Sequence, residues 1–349
     1  MPHSTDPTCD PERVVRLVLG TFFMVALLMS TTIWASDGTP EDSKLYYPPA
    51  NDADYVRPAT TPFPAFNKPT PAKAALGEQL FHDGRLSGGN TMSCATCHQK
   101  NFGWADNIRF SLGETGVPQK RRTPHLQDIA WETSFGRDGR GESLEGFILG
   151  PISHKNIMNQ SLDGLPAELA KDQAYAHLFD AAFGDPQITL GGITQSLATY
   201  MRSLNSGISP FDRWVDGDPT AISPAAKNGF ELFNGKAQCA QCHTGWRFAD
   251  TLFHDIGLNT EDAGRGALAP DNPLARHTFK TPTLRNVSIR APYMHDGSMN
   301  TLRDVIDHYV GDSIDRPSRA PQVSQVDLNS QEKLYLLEFL HTLTDDTRQ

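Results

Sequence analysis

The chain has 349 residues, a formal charge of −10 and 38% hydrophobic residues. That length suits two domains with ordinary cores, and the acidic balance speaks against a nucleic-acid partner while permitting a basic partner protein. Four of the five cysteines lie in two short motifs, which leaves no disulfide framework to propose.

In chain order, residues 1–35 read as an export signal. Arg13 and Arg16 precede an apolar run from Leu17 to Ile33, and Ala35-Ser36 offers a small-residue cleavage site. The run is nearly long enough to span a bilayer, so an uncleaved N-terminal anchor is the alternative and would tether the protein to the inner membrane. Cleavage would remove Cys9, and either way the rest of the chain is expected in the periplasm. Residues 36–71 carry Pro40, Pro48, Pro49, Pro58, Pro62, Pro64, Pro69 and Pro71 and read as an extended arm or tether. A helix is predicted from Lys73 to Phe81. A Gly-rich loop, Arg85 to Asn90, then leads to Cys94-Ala95-Thr96-Cys97-His98. From Asn101 to Arg140 turn residues dominate, and such long irregular stretches in compact domains usually carry function. Helical periodicity returns from Leu162 to Phe183 and from Ile188 to Leu204.

A second unit starts near Ile208, giving domains of 72–207 and 208–349. Ser223-Pro224 reads as an N-cap followed by Pro at the first helical position. That helix runs through Phe230 to Phe233, just before Cys239-Ala240-Gln241-Cys242-His243. The last helix spans Asn329 to Leu343, with Leu336, Leu337, Leu340 and Leu343 on one face.

Each C-x-x-C-H motif is the attachment signature of a c-type haem: two thiols bond the porphyrin vinyl groups and the adjacent His is placed to ligate the iron. A zinc site would pair the Cys couples at shorter separation and needs no following His, and a thioredoxin-like motif would not recur with that His. Two covalently bound haems are therefore expected. A helix ending in Leu-Phe precedes both motifs, at Leu80-Phe81 and at the end of the second helix, which reads as an internal repeat. The predicted fold is mainly α, with two cytochrome-c-like haem domains in tandem and long irregular loops.

At this level the chain resembles the bacterial diheme cytochrome c peroxidase and MauG superfamily. The resemblance rests on Leu80-Phe81, Arg85-Leu86-Ser87 and Ser93 to His98 in the first half. In the second half it rests on Phe253 to Leu258, Lys280 to Val287 and Ala291 to Gly297. It implies a peroxide site at the N-terminal haem, an electron-exchanging C-terminal haem, and His98 and His243 as proximal ligands. Where cytochrome c peroxidases place a Met as sixth ligand of the second haem, counting from Thr301-Leu302 gives Tyr309, as in MauG; Met299 and Met294 are the alternatives. An oxygen donor favours higher oxidation states, whereas a thioether favours ferrous iron.

Other positions depart from the family. Glu114 stands where a His often blocks the first iron, which implies an open iron, with His125 the alternative blocker. The distal Gln and Glu of the family fall at Phe147 and Ile157, which leaves His154, Glu145 and Glu114 as candidate acid–base groups. Arg137 replaces a Trp that lies between the haems, so Trp104, Trp131 and Trp246 are the candidate relays. Arg122 replaces an Asn that helps to bind calcium between the domains; a guanidinium cannot ligate a metal, so calcium is doubtful.

Three functions follow in order. The first is a MauG-like enzyme that uses hydrogen peroxide to oxidise a periplasmic partner protein. The second is a cytochrome c peroxidase that takes electrons from a small cytochrome c. The third is a non-enzymatic electron carrier.

Overall fold

Residues 52–345 of the chain are described by a computed structural model. The export segment, Cys9 and the first part of the Pro-rich arm lie outside the described residues. The helices are α1 (Pro71–His82), α2 (Cys94–Cys97), α3 (Leu144–Ser153), α4 (Leu165–Leu169), α5 (Gln173–Phe183), α6 (Leu190–Arg202), α7 (Pro210–Val215), α8 (Pro224–Asn234), α9 (Leu302–Asp307) and α10 (Ser330–His341). The strands β1 (Phe253–His254) and β2 (Phe279–Lys280) pair antiparallel, with Phe253 opposite Lys280. The protein is thus mainly helical, as predicted. No helix among the described residues is long and apolar enough to cross a membrane.

The helix starts follow from their caps. Thr70 accepts from the Lys73 amide at 3.1 Å with Pro71 at the first helical position, and Ser223 accepts from Ala226 at 3.0 Å with Pro224 in the same role. The stretch predicted as helical from Leu162 to Phe183 is split between α4 and α5. Asp172 receives the Ala174 amide at 3.0 Å and so starts a new helix instead of continuing the old one.

Two helix pairs organise the chain. α1 crosses α6, and α8 crosses α10. Both crossings run over a glycine. A Cβ on Gly77 would overlap the Ser196 carbonyl of α6, and a Cβ on Gly229 would overlap the Tyr335 carbonyl of α10. Each pair anchors its own hydrophobic cluster. One is drawn from Leu76 to Leu204 and includes Phe81, Tyr175 and Phe179; the other takes Phe211, Phe230, Phe248 and Phe339.

The internal repeat extends well beyond the Leu-Phe helices. Thr123-Pro124 leads to Asp128, and Thr281-Pro282 leads to Asn286 at the same spacing. Asp128 and Asn286 both adopt left-handed backbone, φ 57° and 58°, and each begins a 3₁₀ turn. The Asp128 amide donates to Leu204, just past α6, and the Asn286 amide to Leu343, just past α10, both at 3.0 Å. Their side chains accept from Ser206 at 3.0 Å and Asp345 at 2.8 Å. Asx residues suit this place because a short polar side chain tolerates left-handed backbone and bonds locally.

From residue 52 onward the Pro-rich segment is a packed strap and not a free tether. Tyr55 is buried against Phe211, Phe230 and Phe248, and its hydroxyl donates to Asn234 at 2.7 Å. Arg57 donates to the Ser206 and Gly207 carbonyls at 2.6 and 2.9 Å, and the buried Asn67 donates to Glu145 at 2.8 Å. Proline sets an extended backbone, but the aromatic and polar residues between the prolines decide that it packs.

Candidate haem sites

Both motifs present their His in the same way. The His98 amide closes a turn onto the Cys94 carbonyl at 2.9 Å, and the His243 amide closes one onto Cys239 at 2.9 Å. His98 Nδ1–H donates to the Trp104 carbonyl at 3.0 Å, and His243 Nδ1–H donates to Phe248 at 2.8 Å. Trp104 and Phe248 are bulky residues in left-handed backbone, φ 59° and 54°. Such a conformation is unfavourable for a large side chain and points to a local function. Here it aims a carbonyl at an imidazole, which fixes the tautomer and leaves Nε2 to bind a metal. The Pro124 carbonyl also approaches the His98 ring.

The sulfur environments fit thioethers. Burial pushes the Cys94 and Cys239 thiols up to about 12, so each site favours uncharged sulfur over the thiolate that zinc or redox chemistry requires. No disulfide joins the four cysteines among the described residues. Cys242, Asp250 and His254 hold their polar atoms within 4.8 Å of one another, but His254 and Asp250 are already bonded at 2.7 Å. Asp250 raises the His254 pKa to about 10, which keeps the ring protonated and unable to ligate a metal.

The structure brings Tyr309 to the second motif. It sits in a single π turn, His308–Asp312, that follows α9. Such turns often mark functional positions because they displace a side chain from the regular helical face. The turn is held by His308, buried and bonded to the Ile256 carbonyl at 2.9 Å, with its ring edge-on to Tyr309 at 5.6 Å. Burial raises the Tyr309 pKa, and the Cys239 and Cys242 thiols lie close enough to raise it further. Met294 and Met299 lie in a turn in which the Tyr293 amide donates to Met299 at 2.6 Å. Arg109, from the loop after the first motif, donates to Asp296 of that turn at 2.9 Å.

The three candidate acid–base groups all have structural partners. Glu114 accepts from the Gly89 amide at 2.6 Å and from Thr91 at 3.2 Å, which ties down the loop ahead of the first motif. Glu145, at the start of α3, pairs with the buried Arg202 at 2.6 Å. His154 is exposed at the end of α3, and its Nδ1 accepts the Asn156 amide at 3.2 Å. Glu114 and His154 lie in neighbouring loops, joined by the Glu114 amide to the Ile157 carbonyl at 2.8 Å; Glu145 faces Asn67 and Arg202 instead. Phe147 and Ile157 pack on the first core. His125 has a buried Nδ1 without a hydrogen-bond partner. Burial and the charges of Arg290, Arg137, Arg247 and Lys280 push its pKa well down, so it is neutral.

The candidate relay residues separate. Trp131 and Trp246 meet edge-to-face at 4.8 Å, whereas Trp104 packs on Phe81 and Tyr200. The Arg57 guanidinium lies over Trp246 at 5.1 Å. Calcium does not fit the residues around Arg122. Arg122 donates to the Asp106 and Ala291 carbonyls, and Arg290 donates to the Thr283 carbonyl, so guanidinium groups hold these oxygens and their positive charge opposes a hard cation. Sequence reasoning missed Arg290 and the two left-handed residues whose carbonyls accept from the imidazoles, Trp104 and Phe248.

Residues 71–220 match the family model of the di-haem cytochrome c peroxidases. The chain is 42% identical over 330 residues to the methylamine utilization protein MauG of Methylorubrum extorquens, covering 94% of this chain and 92% of that one. It is 29% identical over 299 residues to the cytochrome c551 peroxidase of Nitrosomonas europaea, covering 83% and 86%. The crystal structure of a MauG-like protein associated with microbial copper homeostasis superposes with a TM-score of 0.78 at 29% identity, covering 84% and 94%. Two spaced C-x-x-C-H sites, a mainly helical scaffold and these relatives together place the chain in the di-haem cytochrome c peroxidase and MauG family of oxidoreductases.

Proposed function

We propose that the chain is an exported periplasmic enzyme that binds haem covalently at Cys94 and Cys97 and at Cys239 and Cys242. His98 and His243 are the proximal ligands. It uses hydrogen peroxide at the first haem to oxidise a partner protein through a second haem ligated by Tyr309. The observation that carries this reading is Tyr309 in its π turn beside the second motif's thiols. Haems held by these residues would supply the redox chemistry by which two electrons from the partner protein, with two protons, reduce hydrogen peroxide to two waters.

The chain's own residues set the terms of that reaction. The Trp104 and Phe248 carbonyls hold each imidazole in one tautomer. Tyr309 is a neutral phenol by itself, and a ferric iron nearby would draw off its proton, since a bound cation inverts the local pKa logic. Phenolate oxygen then favours the higher oxidation states. The loop where a blocking His would stand holds Glu114, bound to Gly89 and Thr91, which supports an open first iron. His125 follows the Pro124 carbonyl that touches the His98 ring, which argues for the proximal side. A peroxidase fed by a small cytochrome c is the second reading, favoured by relatives of that name.

Rapid mixing of the diferric protein with hydrogen peroxide tests the proposal. One high-spin iron at rest and a long-lived oxidised species formed without prior reduction are expected. Two low-spin irons, with no reaction until one electron is added, would give the peroxidase reading the advantage and make His125 the residue to replace.

A further inference from the structure

Most buried cations in this protein have a carboxylate partner. Arg202 pairs with Glu145 at 2.6 Å, Arg285 with Asp212 at 2.8 Å, and Arg247 and Lys280 share Glu132. Arg122 and Arg290, with the half-buried Arg137 beside them, differ: none of the three makes an ion pair with a carboxylate among the described residues. Arg122 and Arg290 are 5% and 6% exposed, and the Nε of each is buried without a hydrogen-bond partner. Arg137 donates to the Arg122 carbonyl at 3.1 Å and so belongs to the same group. The buried, unpartnered His125 Nδ1 lies three residues from Arg122, and Arg137 and Arg290 both act on its charge state.

Burying charge without a counter-charge is costly, and orphaned buried donors are rare in folded proteins. Burial and mutual repulsion press the Arg137 pKa down to about 9 and that of Arg290 to about 10. Both remain charged at neutral pH; the nearby Asp106 carboxylate acts on Arg122 and Arg137 and that of Asp128 on Arg290, but two carboxylates do not offset three cations, and a further anion would. The chain places these groups beside both motifs. Arg122 stands two residues before the carbonyl that touches His98, and the orphaned Nε of Arg247, four residues after His243, acts on the same His125. A haem bonded at either motif carries two propionates on the porphyrin edge opposite its thioether bonds, and these carboxylates are the anions the bound group would bring.

Resting on the two-haem reading above, we propose that Arg122, Arg137 and Arg290 form a fixed cationic centre that receives the haem propionates and takes the place of a bridging metal ion. The carbonyls of Asp106, Ala291 and Thr283 are bonded to guanidinium N–H groups, and a divalent cation among three guanidinium groups would be repelled.

The test uses the exported protein with its haems, counted first by intact mass. Fewer than two haems would overturn the two-haem reading itself. With two haems present, a calcium chelator should leave the wild-type spectrum and both reduction potentials unchanged, and elemental analysis should find no stoichiometric calcium. Arg290→Gln should shift the ferric–ferrous equilibrium of at least one haem toward ferric by about tenfold, which is ~59 mV for one electron. Arg290→Lys keeps the charge but loses the planar fork, and should stay within about threefold of wild type. A chelator-sensitive wild type, bound calcium, or a two-haem Arg290→Gln protein with unmoved potentials would overturn the proposal. Should Arg290→Gln fail to assemble, Arg290→Lys decides: potentials near wild type support the charge role, and a shift as large as charge loss would give refutes it.

Discussion

In the proposed reading, Tyr309 sets the character of the second redox site. A phenol and a thioether occupy similar space, but only the phenol can become an anion when a ferric iron approaches. Replacing Tyr309 by Phe should alter the low-spin spectrum of the second haem and abolish any long-lived oxidised state formed with peroxide. An unchanged spectrum would transfer the ligand role to Met299 or Met294. Glu145 has the opposite character, because its carboxylate is bound to Arg202 and Asn67. Glu145→Ala would leave Arg202 buried and unpaired and should cost about 3–5 kcal/mol of stability in denaturant unfolding. Peroxide reactivity lost with stability intact would return Glu145 to the list of acid–base groups.

Among the elements, the two glycine crossings do most to place the motifs. Helix axes approach closely only where a side chain is missing, and the chain uses this device twice, at Gly77 and Gly229. Gly77→Ala or Gly229→Ala should force each pair apart and cost at least about 1–3 kcal/mol, read as a lower midpoint in urea. Gly191, at the start of α6, has nothing within 4 Å of where a Cβ would stand, and its replacement by Ala should gain about 0.4–1 kcal/mol. Equal effects at all three positions would show that helix propensity, not the crossing, governs them.

In the molecule as a whole, ion pairs join residues of the first repeat to residues of the second. Arg121 bridges Asp138 at 2.7 Å and Asp262 at 2.6 Å, and Arg265 donates to the Asp138 carbonyl at 3.0 Å. Burial alone would raise the Asp138 pKa, but hydrogen bonds from Arg140 and Arg121 outweigh it and bring the pKa down to about 2. A folded pKa below the unfolded value of 3.8 means the stabilisation is present above that pH and is lost as pH falls toward about 2. Wild type should therefore lose stability between about pH 4 and 2, and Asp138→Asn should be less stable at neutral pH but flatter across that window. A variant with the same acid slope as wild type would assign that slope to other carboxylates.

The residues alone specified the two C-x-x-C-H motifs, the capped helices and the mainly helical class, because these depend on contiguous residues and local geometry. Ser223, Asn329 and the spacing of the Leu-Phe helices could be read without any tertiary information. Local pattern could not show that Glu114, Glu145 and His154 are engaged elsewhere, since their partners Gly89, Arg202 and Asn156 follow no common spacing. It could not show that the strap from Tyr55 packs on Phe230, or that Trp131 meets Trp246. Nor could it show that Arg122, Arg137 and Arg290 converge with no carboxylate in a direct ion pair with any of them. Charge compensation depends on three-dimensional neighbours brought together by long-range packing. The sequence by itself determined which cofactor chemistry the chain can attach, and only the tertiary structure decided which side chains surround that chemistry.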